Sequence, residues 1–124
     1  MGAEVLEPFS RNNNIDKTKG PWAYDTGSGD VADIYSSDAI FAILNGTPPD
    51  EGVMIELGMM MATGKKIFLF RDDTRSCTES GVYPLNLMIF MGLPRDNWQE
   101  WYYTRVEDMT DPDRPLAKWL RGDL

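Results

Sequence analysis

The sequence has no histidine. That excludes Ser-His and Cys-His catalysis and most zinc sites, and it leaves carboxylates, tyrosines, lysines and one thiol for acid–base or nucleophilic work. Cys77 is the only cysteine, so no disulfide can form within the chain. Basic residues are few, 12 against 20 acidic ones, and the formal net charge of −8 would repel a phosphate backbone. No Lys/Arg cluster interrupts that field, so nucleic acid is not an expected partner. A membrane is not expected either, because apolar stretches such as LMIFMGLP fall far short of the ~20 residues that cross a bilayer. The N-terminus MGAEVLEPF lacks the basic and apolar regions of a secretory signal, and a cytoplasmic location is expected.

What remains is a chain of 124 residues, enough for one domain with a real core and too short for a second. Residues 1–124 are therefore read as a single domain. Ala3 to Phe9 alternates like a strand, and the polar run SRNNNIDKTKGPWAYDTGSG reads as a long loop. From Gly29 to Ser37, Val31, Ile34 and Tyr35 stand at helical spacing, which predicts a short helix leading into a buried strand over AIFAILNG. GTPPDEG offers turn residues, with Asp50 as an N-cap and Gly64 where a C-cap wants glycine, so a helix is expected from about Asp50 to Thr63.

KKIFLF has no alternation, as in a parallel strand covered on both faces, and RDDTRSCTESGVYP reads as a loop. Leu85 to Met91 fits helix and strand equally. WQEWYYTRVEDM alternates like a late strand, and DPDRPLAKWLRGDL closes the chain as a capped helix. Strands alternating with helices predict an α/β fold, a three-layer sandwich around a mostly parallel sheet of the flavodoxin-like or Rossmann-like kind.

One residue stands out. Val53 to Ala62 is apolar almost all the way round a helical wheel, so the helix is expected to be largely buried, and Glu56 is its only charge. A lone carboxylate in such surroundings must be paired, protonated or open to a cavity, and each of these perturbs its pKa and marks a candidate site. A solvent-facing edge beside Thr63, or a structural arginine partner, would account for Glu56 equally well on composition alone. Met59, Met60 and Met61 read as adaptable packing, and Cys77 as an incidental free thiol. Trp98, Trp101, Tyr102 and Tyr103 read as core or subunit interface rather than as catalytic groups.

The stretch SSDAIFAILNGTPPDEGVMIELGMMMATGKKIFLF, with Asp30 ahead of it, resembles the central signature of the nucleoside 2-deoxyribosyltransferases. The signature comprises a helix-borne Asp, Ser-Asp before a buried strand, an Asp-x-Gly turn, a Glu-x-Gly helix and a closing Gly-Lys. PLNLMIFMGL is similar to the family segment whose Asn-x-Met, here Asn86 and Met88, reaches into a neighbouring subunit's site. The matching segments run from about residue 28 to 92, and RDDTR resembles a loop of some members.

The resemblance implies that Glu56 is the nucleophile. Its carboxylate would attack the anomeric carbon of a deoxyribonucleoside, and a second, free nucleobase would then attack the resulting ester, so that two inversions retain the β configuration. Asp30 and Asp50 occupy positions that contact the base and the proton network, and one of them would serve as general acid. Each also has a plain reading as a helix cap. Gly52, Asn86 and Met88 are implied as substrate-binding residues, with Asn86 acting across the interface of a homo-oligomer. The nucleophile and acid carboxyls would lie ~5 Å apart, as in a retaining glycosidase.

Asp38 is expected to cap or position a strand. No metal and no cofactor are implied. Family members begin with a strand ending in Gly-Pro and a helix ahead of the segment matching GAEVLEPF, and here the chain starts at that second strand. Two other functions fit the same signature. One is an N-glycosidase acting on a deoxynucleoside monophosphate, although no phosphate pocket is evident near the signature, and the other is a nucleotide-binding module without turnover.

Overall fold

The missing alternation in KKIFLF has a direct structural cause. In the computed structural model, which describes residues 3–6, 20–78 and 80–124, Lys66–Phe70 forms the middle strand, β2, of a three-stranded sheet. Ile67, Phe68, Leu69 and Phe70 are all buried, because neighbours cover both faces of the strand. β1 (Ala39–Ile43) runs parallel on one side, with Phe41 beside Phe68 and Ile43 beside Phe70. β3, only Tyr102–Tyr103, runs parallel on the other, with Tyr103 beside Phe70. Both pairings of the sheet are parallel, as the α/β reading requires.

Joining β1 to a parallel neighbour demands a crossover, and the apolar segment after GTPP supplies it as a helix, α2 (Glu51–Thr63). Asp50 caps its start by accepting a hydrogen bond from the Val53 N–H at 3.1 Å. Gly64 ends it in the left-handed conformation, φ 72°, with its N–H bonded to the Met61 carbonyl at 3.1 Å.

Successive strand residues point to opposite faces. Ile67 lies on the α2 side, where it and Met61 crowd so closely on Gly92 that a side chain there would meet both within 2.7 Å. On the other face Phe68 stacks on Trp101, with centroids 5.3 Å apart, and leans on Trp119 at 5.8 Å. Helix, sheet and aromatic layer make the three expected layers within residues 39–124. The last helix, α3 (Pro115–Leu120), is shorter than DPDRPLAKWLRGDL suggests. It is docked by the Leu116 N–H donating to the Tyr103 hydroxyl at 3.0 Å, while the Arg114 guanidinium covers the Tyr103 ring.

Several expectations need correction. The late strand over WQEWYYTRVEDM is mostly 3-10 helix, Trp98–Trp101 and Val106–Thr110, with strand only at Tyr102–Tyr103. Trp98 there packs on Tyr83 and Phe90 with ring centroids about 5 Å away, and that aromatic cluster overrides the alternating pattern. Leu87–Phe90, ambiguous in the sequence, is likewise a 3-10 turn.

The helix expected from Gly29 begins earlier: α1 spans Trp22–Ser36, so WAYDTGSG is helical despite its glycines. Pro21 accepts from the Asp25 N–H at 3.1 Å and Asp25 suits the positive end of the helix, while Ser37 closes the far end on the Asp33 carbonyl. β1 is only partly covered, with Ala42 buried and Ile43 57% exposed, because it pairs on one side alone among the described residues. Nor is α2 largely buried: Leu57 and Met60 face the sheet, but Ile55 is 65% exposed.

The chain divides into two compact units, residues 1–38, which contain α1, and residues 39–124, which contain the sheet. Of the strand expected over Ala3–Phe9, residues 3–6 form no regular element, and residues 7–9 lie outside the described residues, as do residues 10–19 of the polar run after them. Among the described residues no helix is long and apolar enough to cross a membrane.

Candidate active site

In a parallel α/β sheet the carboxyl ends of the strands are where loops converge and ligands bind. Here two segments meet at that end, Leu44–Asp50 after β1 and Arg71–Cys77 after β2. Their junction is polar and tightly tied. Arg71 is 1% exposed, a buried charge. Its Nη1 donates to the Leu44 carbonyl and, at 2.7 Å, to the Gly46 carbonyl, while Nη2 donates to the Arg75 carbonyl at 2.7 Å. The Asp73 carboxylate stands 3.8 Å from Nη2. These partners hydrogen-bond and compensate the two terminal nitrogens of the buried charge, while its buried Nε has no hydrogen-bond partner among the described residues.

Asn45 adds a second tie, donating to Asp72 Oδ1 at 2.6 Å and accepting from the Asp72 and Asp73 N–H groups. Gly46 donates to Asp73 Oδ2 at 3.1 Å. At φ 110°, with a hypothetical Cβ 2.9 Å from the Pro48 carbonyl oxygen, Gly46 occupies a place that only glycine fits. Arg75 grips Asp73 with two guanidinium nitrogens at 2.9 and 2.6 Å. That side chain first, then the backbone N–H groups of Arg75 and Gly46, hold the Asp73 carboxyl far below the usual carboxylate range.

Arg71 does lie in the loop expected after β2, but nothing in the sequence analysis singles it out as the centre of this junction. The available signal was an arginine directly after four residues of a two-sided buried strand.

The residues singled out in the sequence fall in three places. Asp50, exposed, caps α2 through Oδ2, and Gly52 lies in the first turn, where a Cβ would come 3.0 Å from that oxygen. Glu56 is half-buried about one turn beyond Gly52 on the same helix. Asn86 and Met88 lie across an open groove of about 490 Å³ whose helix wall is Met54, Leu57, Gly58 and Met61. These four recur at the spacing of a single helix face.

Glu56 stands about 200° round the helix from Met54 and is not among the groove's lining residues. The chain thus brings Asn86 and Met88 to α2, but to the face away from Glu56. Asn86 itself caps the Leu87–Phe90 turn, accepting from the Met88 N–H at 2.9 Å, and Met88 is 75% exposed. Asp30 is half-buried on α1 in the first unit. Cys77, a free thiol, lines the groove and lies 3.8 Å from Arg71 Nη2. Trp98, Trp101 and Tyr103 are core residues. Among the described residues no group of three or more Cys, Asp or Glu is arranged to hold a metal ion.

Comparison with known proteins bears on the family and the fold. The family model for nucleoside 2-deoxyribosyltransferase matches residues 1–88, a span that includes Asp30, Asp50, Gly52, Glu56, Asn86 and Met88. Among solved structures the chain is similar to the 2-desoxiribosyltransferase from Leishmania mexicana, with 24% identity and a TM-score of 0.61. That match covers 88% of this chain and 74% of the other, and at this identity it speaks for the fold. No curated protein matches the chain.

Proposed function

The chain belongs to the nucleoside 2-deoxyribosyltransferase family, and from that premise we propose that it moves a 2-deoxyribosyl group from one nucleobase to another through an ester on Glu56. The observation that carries the reading is the place of Glu56. It is the one carboxylate of α2 beyond the first turn, half-buried, on a helix fixed at its head by Asp50 and at its end by Gly64. A rigid helix holds a nucleophile in line better than a loop would.

In the first half-reaction a Glu56 carboxylate oxygen bonds to the anomeric carbon as the C–N bond to the base breaks. The departing base takes the electron pair and accepts a proton from a general acid, Asp30 or Asp50. In the second half-reaction a nitrogen of the incoming base bonds to the same carbon, displaces Glu56 and returns a proton to the general base. The negative charge on Glu56 also stabilises the oxocarbenium-like transition state that both steps share. The Val53 N–H engages Asp50 Oδ2, and proton transfer by Asp50 would use Oδ1.

Asn86 and Met88 sit across the groove from the face of α2 opposite Glu56, which supports a homo-oligomer in which they serve a neighbouring copy's sugar rather than their own. Gly52 would let the substrate approach the head of α2 closely. The physiological role would be salvage of deoxyribonucleosides in the cytoplasm by a single catalytic domain.

The test is to incubate the chain with deoxyinosine and free adenine and to follow deoxyadenosine and hypoxanthine by chromatography, with Glu56→Ala and a no-acceptor control alongside. Transfer that vanishes in Glu56→Ala is the expected result. Base release without transfer would replace the reading by an N-glycosidase, and ligand binding with neither product would replace it by a binding module.

A further inference from the structure

We infer that Arg71 is a positioning residue for this reaction: it locks the Leu44–Asp50 segment, and through it the head of the helix that carries Glu56. The inference rests on the Glu56 reading for its catalytic consequence, and on the geometry of the junction for its mechanism. Its guanidinium spans two segments, Nη1 bonding the Leu44 and Gly46 carbonyls after β1 and Nη2 the Arg75 carbonyl after β2. A planar fork can reach both sides at once, whereas a lysine ammonium presents donors from one point.

Burying a cation carries a desolvation cost that an apolar side chain would not, so a fully buried one here needs a reason beyond burial. What it holds gives that reason. Only Thr47, Pro48 and Pro49 separate the last tether, Gly46, from the cap Asp50, and two prolines leave that bridge little freedom to absorb a shift. A displacement of Gly46 is therefore passed on to the first turn of α2. The Gly46 N–H on Asp73 and the Asn45 side chain on Asp72 and Asp73 fasten the same segment from its other side.

The test compares Arg71→Lys, Arg71→Met and Asn45→Ala with the wild-type chain. Steady-state transfer from deoxyinosine to adenine is measured together with amide hydrogen exchange. Arg71→Lys is expected to melt cooperatively, to keep KM within about threefold and to lose about tenfold to a hundredfold in kcat, since a misplacement of about 1 Å can cost up to about a hundredfold. Exchange should quicken over residues 44–54 and stay slow in β2 and α3.

Asn45→Ala frees the segment without disturbing the buried charge, so it keeps the test decisive where Arg71→Met fails to fold. It should lower kcat several-fold in the same sense. Wild-type kcat in both Arg71→Lys and Asn45→Ala, or exchange that quickens uniformly along the chain, would overturn the inference. A wild-type chain that makes no product would sink the Glu56 reading by itself, and exchange in Arg71→Lys would still decide whether the junction holds the helix head.

Discussion

The head of α2 and its flank sit in opposite kinds of surroundings. At the head, Asn45, Gly46, Arg71, Asp73 and Arg75 form a lattice of short, directional hydrogen bonds in which each partner has one geometry that works. Along the flank, Met54, Met61 and Met88 line an open groove with flexible thioethers that can repack around many shapes. Position is specified at the head and adaptability at the flank. Substitutions should therefore act steeply in the first region and shallowly in the second.

The steepest effect on stability is expected for Arg71→Met, which leaves the Leu44, Gly46 and Arg75 carbonyls without their donor. Unfolding in urea should show a loss on the order of 3 kcal/mol. Gly46→Ala comes next, at about 2 kcal/mol, because a side chain there meets the Pro48 carbonyl oxygen in a backbone conformation that disfavours it. Tyr103→Phe should lose about 1 kcal/mol by orphaning the buried Leu116 N–H.

Acid sensitivity follows from Asp73. Its folded pKa lies below the ordinary carboxylate value of ~3.9, so its contribution is fully present above that value and is lost as pH falls from there toward the folded pKa. Melting temperature should be flat with respect to this group from pH 7 to about 5 and fall below about 4, and Asp73→Asn should make that fall shallower. The shallowest effect belongs to the groove: Met61→Leu should shift stability by under about 1 kcal/mol. A large loss there, or a small one for Arg71→Met, would erase the contrast between the two regions.

The parts of the fold legible in the sequence are those set by local chemistry. Asp50 and Gly64 bracket α2 because capping is read from a few neighbouring residues, and β2 announces itself through an unbroken apolar run. α1 was only half legible, since Gly27 and Gly29 lower helix propensity in a segment that is helical all the same. Trp98 to Tyr103 alternates like a strand, but its partners Tyr83 and Phe90 decide its conformation, and their positions are set by the tertiary fold. Arg71 was illegible for the same reason: Leu44, which it bonds, lies 27 residues away. How the singled-out residues group in space was not legible in the sequence. Glu56 lies on α2 and Asn86 approaches that helix, yet which face Asn86 meets depends on where the Leu87–Phe90 turn docks.

The most direct test of the account is to capture the intermediate. The chain would be mixed with deoxyinosine without an acceptor base, quenched in acid within milliseconds to seconds, digested and examined by mass spectrometry. The account predicts one added deoxyribosyl group on the peptide containing Glu56, lost again when adenine is supplied before the quench and absent from Glu56→Ala. An adduct on Asp30 or Asp50 instead, or transfer that proceeds unchanged in Glu56→Ala, would contradict it.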